Sequence, residues 1–310
     1  MSAPADIARE GDPVSPAPTP AAAAPVRPFY WSVRRELWEN RSVYVAPAVV
    51  AAVVVFGFLV STHKLVRNVR GLAGLDPAKS NALFAMPLAF SGFAILATGF
   101  IVGVFYCLGA LHGERRDRSI LFWKSLPVSD LTTVLAKFSV PTAIIPATVF
   151  AVVVAAQLIM LSWSSMVLAT HGLDAATPWA HWPLVRTASM LLYGVFALAI
   201  WHAPIWAWLL LVSAWARRAT FLWAVAPPFA ICVFEKIAFD TAASSQLLKD
   251  RLLGGLAAAF KGAPAPHGMF DMLQVDPLGF LASPGLWGGL AFAAAALAGA
   301  VRLRRNREPI

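Results

Sequence analysis

Gly113-Glu114-Arg115-Arg116-Asp117-Arg118-Ser119-Ile120-Leu121-Phe122-Trp123-Lys124-Ser125-Leu126-Pro127-Val128-Ser129-Asp130-Leu131-Thr132-Thr133-Val134-Leu135-Ala136-Lys137 is an island of charge, and an uncharged run of more than 25 residues lies on each side of it. A membrane span could not hold Glu114 to Arg118. A soluble loop has no need of Phe122 and Trp123 beside those charges. Both belong at the surface of a bilayer, where apolar side chains enter and charged ones stay in water. The stretch reads as the part of a membrane protein that faces a partner.

Composition agrees. The chain is 59% hydrophobic and 13% charged, with a mean hydropathy of +0.67, where a soluble domain carries about 25% charged residues. The net charge of +9 does not imply nucleic acid, because the basic residues are spread between apolar runs. Cys107 and Cys232 both fall inside apolar runs, so they read as packing residues and not as a disulfide framework.

The apolar runs predict an all-α polytopic membrane protein with six transmembrane helices. They lie at about 43–62, 84–111, 139–163, 187–213, 219–236 and 284–301, each near the ~20 residues a bilayer requires. Residues 1–28 are rich in Ala and Pro and read as a disordered cytoplasmic tail. Residues 29–42 mix aromatics with charge. On a helix, Trp31, Arg35 and Trp38 share one face while Arg34, Glu39 and Arg41 project elsewhere, as in an interfacial helix before the first span.

Further features mark the spans. Gly99 and Gly103 form a GxxxG spacing, which serves packing inside a bundle as well as dimerisation. Pro127 breaks the central stretch, and Ser129 or Asp130 can cap the helix that follows. His171 and His181 fit no common metal-ligand spacing. His202 is the one titratable side chain in the middle of a span, so it is a candidate intramembrane polar site. A neutral imidazole hydrogen-bonded within the bundle is the plain alternative. Pro204 predicts a kink beside it, and Pro227-Pro228 predicts a broken fifth span. In the long loop 237–283, Leu248, Leu252, Leu256 and Phe260 recur every four residues, predicting a helix on the outer membrane surface.

Six spans put both termini on one side. Sixteen Lys and Arg residues fall on that side and nine on the other, so the termini and the central stretch are expected in the cytoplasm. The chain has no Gly-Lys-Ser/Thr, no HExxH, no CxxC and no GxSxG. No span carries an acid in its middle of the kind that drives proton- or sodium-coupled transport. The energy source of any transport is then expected outside this chain.

With this layout and the stretch Glu114 to Ser129, the chain resembles the membrane subunit of ABC-2 type ATP-binding cassette transporters. The carrying residues are Glu114, Leu126-Pro127-Val128-Ser129 and Lys137. The resemblance implies an export permease in the bacterial cytoplasmic membrane, not itself an enzyme. It implies that a separate ATPase subunit binds ATP and Mg, and that a second permease chain completes the unit. Under it, Glu114, Arg115, Arg116, Asp117, Arg118, Ser119, Phe122, Trp123, Lys124, Leu126 and Pro127 form the element that docks the ATPase. Trp31, Arg34, Arg35 and Trp38 belong to the connecting helix, and 237–283 to a re-entrant element. The competing readings are a membrane sensor or scaffold that docks a cytoplasmic partner without transport, and an intramembrane enzyme built around His202.

The orientation has a direct test. A single cysteine at Ala176 or Ala243 is expected to react with an impermeant thiol reagent added to intact cells, and one at Ser119 is not. Labelling at Ser119 under those conditions inverts the topology.

Overall fold

The computed structural model describes residues 27–71, 77–119, 122, 128–261 and 274–306. It is all-helical apart from one two-residue strand pair, and six helical segments are long and apolar enough to cross a membrane: Ser42–Arg67, Phe84–Arg116, Asp130–Thr170, Leu184–Trp201, Thr220–Phe239 and Pro284–Asn306. The chain is an integral multi-pass membrane protein. The elements in order begin with α1 (Pro28–Glu39), α2 (Ser42–Ser61), α3 (Leu65–Arg70) and α4 (Pro77–Arg116). Next come α5 (Asp130–Ser139), α6 (Ile145–Thr170), α7 (Thr177–His181), α8 (Leu184–Trp201) and α9 (Ala203–Trp215). The chain closes with α10 (Thr220–Phe239), α11 (Ala243–Leu253), α12 (Gly255–Ala259), β1 (Phe260–Lys261), β2 (Gln274–Val275), α13 (Pro277–Ala282) and α14 (Pro284–Asn306).

Most helices run past the apolar limits read from sequence. Hydropathy marks where side chains must be apolar, whereas the backbone stays helical as long as its hydrogen bonds are satisfied. α4 therefore continues to Arg116 and carries Glu114 out of the apolar zone. α5 begins at Asp130, with Ser129 as its N-cap accepting from the Thr132 N–H at 3.0 Å. A π turn, Val140–Ile144, joins α5 to α6. Pro141 explains it: proline has no N–H and its ring collides with the carbonyl four residues back, here that of Lys137.

The core lies between α4, α6 and α9. Ile95, Cys107, Val149, Val153, Trp206 and Leu210 are buried there, and both cysteines are free. The GxxxG face is used within the chain. A Cβ on Gly99 would stand 2.5 Å from Val149 Cγ2, and one on Gly103 would stand 3.2 Å from the Trp206 ring. α9 and α14 meet through Ala203, Ala207, Ala293 and Ala296, small residues that let two backbones approach closely.

Three expectations need correction. The span expected at 187–213 is two helices meeting at His202, because Pro204 cannot donate to the Ile200 carbonyl. The expected break at Pro227-Pro228 does not occur: α10 is continuous from Thr220 to Phe239. Pro228 leaves the Ala224 carbonyl without its helical donor, and the Trp208 indole N–H supplies one at 3.0 Å. The expected surface helix over 248–260 is instead two short helices hinged at Gly254. Leu248, Leu252 and Leu256 stay exposed, while Phe260 turns inward against Tyr193. The start of α1 at Pro28 trims the expected tail, whose residues 1–26 lie outside the described ones.

Candidate functional site

At the end of the bundle that carries Glu114, four helices bring their charges together. α1 has a divided surface. Arg34 stacks between two exposed rings, its Cζ 5.2 Å from the Trp31 centroid and 4.6 Å from that of Trp38. Arg35 and Glu36 face the protein. This corrects the expected face of Trp31, Arg35 and Trp38: it is Arg34 that sits with the rings, and Arg35 turns inward. One residue is 100° on a helix, so both arginines flank the tryptophan stripe, and an inner carboxylate decides between them.

Lys137 is the centre of the cluster. It is 2% exposed, and its Nζ lies 2.7 Å from Glu36 Oε1 and 3.1 Å from Glu114 Oε1. Arg35 Nη2 lies 2.7 Å from Glu114 Oε1 and 3.2 Å from Glu36 Oε1, and its Nε lies 3.1 Å from Glu39. Arg304, from the end of α14, reaches Glu114 Oε2 at 3.2 Å and also pairs with Asp130 at the start of α5. The Tyr106 hydroxyl donates to Glu36 Oε2 at 2.8 Å. Three cations thus meet Glu36, Glu114 and Asp130. A buried ion loses several kcal/mol of hydration, and only multiple close partners offset that. Each carboxylate of the inner pair, Glu36 and Glu114, has more than one.

Beside this cluster, α4 is strapped to α9. Arg115 Nη1 donates to the Ala214 carbonyl at 2.7 Å, serving an orphan carbonyl in the last turn of α9. Ser213 Oγ accepts from the Leu111 and His112 N–H groups at 3.0 and 2.9 Å and donates to the Leu108 carbonyl at 2.9 Å.

The residues expected to dock a partner therefore divide. Glu114 and Arg115 are interior anchors, which corrects their placement on a docking surface. Arg116 and Asp117 are exposed and pair with each other at 3.0 Å. Arg118 turns the chain with a φ of 57°, and Ser119 Oγ lies 3.4 Å from the Glu114 carbonyl it donates to. Phe122 is exposed. Trp123, Lys124, Leu126 and Pro127 lie outside the described residues. Sequence reasoning gave no role to Glu36, Tyr106 or Arg304, and took Lys137 only as the start of a span. The available signal was Lys137 itself, a cation with apolar neighbours on both sides.

His202 forms a second polar site, at the junction of α8 and α9. Its Nδ1 is 2.7 Å from the Leu198 carbonyl and its Nε2 is 3.3 Å from that of Leu252. The adjacent Trp201 indole N–H donates to the Asp250 carbonyl at 3.2 Å. These carbonyls belong to the last turns of α8 and α11, and those of Leu198 and Asp250 also accept the backbone N–H groups of His202 and Gly254, each at 2.8 Å. No family model, curated protein or solved structure matches the chain.

Removing the central cation leaves Glu36 and Glu114 short of a partner in a dry site. Lys137→Met is expected to lower unfolding stability by roughly 3–5 kcal/mol, read as a lower melting temperature in detergent. Arg116→Ala, an exposed pair, is expected to change it by about 1 kcal/mol or less.

Proposed function

We propose that this chain is the permease subunit of an ABC-2 type transporter, an exporter of the bacterial cytoplasmic membrane. In this reading it moves substrate with energy from ATP, hydrolysed with Mg on a separate ATPase subunit. A second permease chain, the same or different, forms the other wall of the pathway.

One observation carries the reading. The exposed turn after Arg116 is rooted in an ion cluster that ties α1, α4, α5 and α14 together. A partner that pushes on the turn moves four helices and not a loose loop. Charged residues that serve only topology or lipid phosphates need no such buried anchor. Arg115 and Ser213 extend the connection to the end of α9, whose start is the break beside His202. A route from the cytoplasmic turn to the middle of the bundle follows, made of rigid helices and hydrogen bonds. α1, with its Arg34 between two exposed tryptophans, lies along the membrane surface and steadies the same cluster.

The chain's own chemistry fits a permease better than an enzyme at His202. The imidazole stands between the Leu198 and Leu252 carbonyls and, as a neutral ring, donates to one of them, which sets it as a pin between α8 and α11.

The test is co-purification from the native membrane. Wild-type chain is expected to bring down a protein that hydrolyses ATP. The triple variant Arg116→Ala/Asp117→Ala/Phe122→Ala is expected to lose that protein, or its substrate-stimulated rate, at unchanged melting temperature. A partner without ATPase activity turns the reading to a docking scaffold. A triple variant that keeps the partner and the stimulated rate removes the coupling role of the turn.

A further inference from the structure

The sequence places Arg251 in an outer loop, and the structure carries it into the bundle. α11 runs back from the end of α10 and sets its last turn against the junction of α8 and α9. That junction is deep. α8 has 18 residues and α9 has 13, so at 1.5 Å per residue it lies about 27 Å from one end of the pair and about 20 Å from the other. Arg251 Nη1 donates to the Trp201 carbonyl at 3.3 Å, and Nη2 donates to that of Gly285. The guanidinium lies over the Trp201 ring, its Cζ 4.6 Å from the centroid. Its other side lies on Gly289, where a Cβ would stand 2.4 Å from Nη2. The cation is held flat between a ring and a backbone.

The cation has no counter-ion among the described residues. Among the described residues no carboxylate comes within ion-pair distance of it: Asp250, next in the chain, gives its carbonyl to Trp201 and keeps its side chain exposed. The helix ends nearby cancel. The C-terminus of α8 meets the N-terminus of α9, the two ends carrying about half a charge each of opposite sign. His202 is occupied by the Leu198 and Leu252 carbonyls. Among the described residues the guanidinium thus keeps its charge without a counter-ion, and two of its five N–H groups have the carbonyls described above. The surroundings are apolar: Phe260, Phe280 and Leu286 are buried beside Trp201, and Leu252, Leu253 and Leu256 are exposed on the same hairpin. A cation at membrane depth without a counter-ion is costly and marks a ligand or ion pathway.

We propose that Arg251 is the headgroup site for an anionic amphiphile, a carboxylate or phosphate carried on an apolar tail. The headgroup meets the free N–H groups of the guanidinium, and the tail lies along the exposed leucines of α11 and α12. As a cargo site it rests on the transport reading. As a binding site it does not. A chain that binds through Arg251 but brings down no ATPase keeps the site and loses the transport reading.

The test uses the full chain in nanodiscs of neutral phosphatidylcholine, with radiolabelled oleate as probe and oleyl alcohol as its uncharged counterpart. Wild type is expected to bind oleate saturably and at least about tenfold more tightly than oleyl alcohol, the scale of one charge-assisted hydrogen bond in a dry site. Arg251→Gln is expected to lose that tenfold, and Arg251→Lys to keep most of it, at comparable melting temperatures. Competition by phosphatidic acid identifies a two-chain membrane lipid as occupant, and its failure to compete identifies a single-chain anion. Equal binding of oleate and oleyl alcohol overturns the proposal, as does wild-type oleate affinity in Arg251→Gln. Should Arg251→Gln not fold, a photoreactive oleate on the wild-type chain decides: crosslinking to α11 and α12 supports the site, and crosslinking only elsewhere overturns it.

Discussion

Lys137 between Glu36 and Glu114 is the contact on which the end of the bundle that carries Arg116 depends. Its members come from α1, α5 and the end of α4, and Leu111 of α4 and Val134 of α5 also share a buried apolar cluster. Arg35 and Arg304 close the cluster from either side. Without the cations, two carboxylates would share a dry space, and without the carboxylates an ammonium would stand alone in one. Each charge is tolerable only while the others are in place. Such a cluster has few alternative arrangements, so it fixes how α1 and α14 sit against α4 and α5. It also fixes the exit angle of the chain after Arg116, and the proposed coupling role stands on that.

The same demand for satisfied polar groups explains the irregular places. In hydrocarbon, an unpaired carbonyl costs several kcal/mol, and water cannot relieve it. Side-chain donors meet several of the carbonyls left over in the bundle. Trp208 serves the Ala224 carbonyl freed by Pro228, and Arg115 serves Ala214 at the end of α9. Trp201, His202 and Arg251 exchange bonds between the last turns of α8 and α11. The tryptophans of α8 and α9 are therefore not only interfacial or lipid-facing. Two of them, Trp201 and Trp208, donate their indole N–H groups to main-chain carbonyls of neighbouring helices.

The broad fold was legible in the sequence because hydropathy reports directly what a bilayer requires. All six spans stand near their expected positions, and Ser129 caps the helix its position announced. What hydropathy does not report is how far a helix continues once its side chains are free to be polar. Glu114 therefore looked like a loop residue and is the last-but-two residue of α4. Partnership was the least legible property. Glu36, Glu114 and Arg304 are far apart in the chain, and the attraction between them acts only after the helices have packed. Arg251 was hidden for a related reason. Its loop reads as an outer segment, and only the hydrogen bonds to the broken helix show how deep it goes. Pro227-Pro228 misled because the rule that proline breaks a helix assumes that no side chain rescues the freed carbonyl.

The central claim is that Lys137 and Glu36 act as a pair inside the protein. A double-mutant cycle measures this most directly, with Glu36→Gln, Lys137→Met and the combined variant unfolded in the same detergent. The account predicts a coupling of about 2 kcal/mol or more, the combined variant being less destabilised than the two single changes together. Additive losses, within about 0.5 kcal/mol, would contradict it, because they would mean that the two charges do not depend on each other.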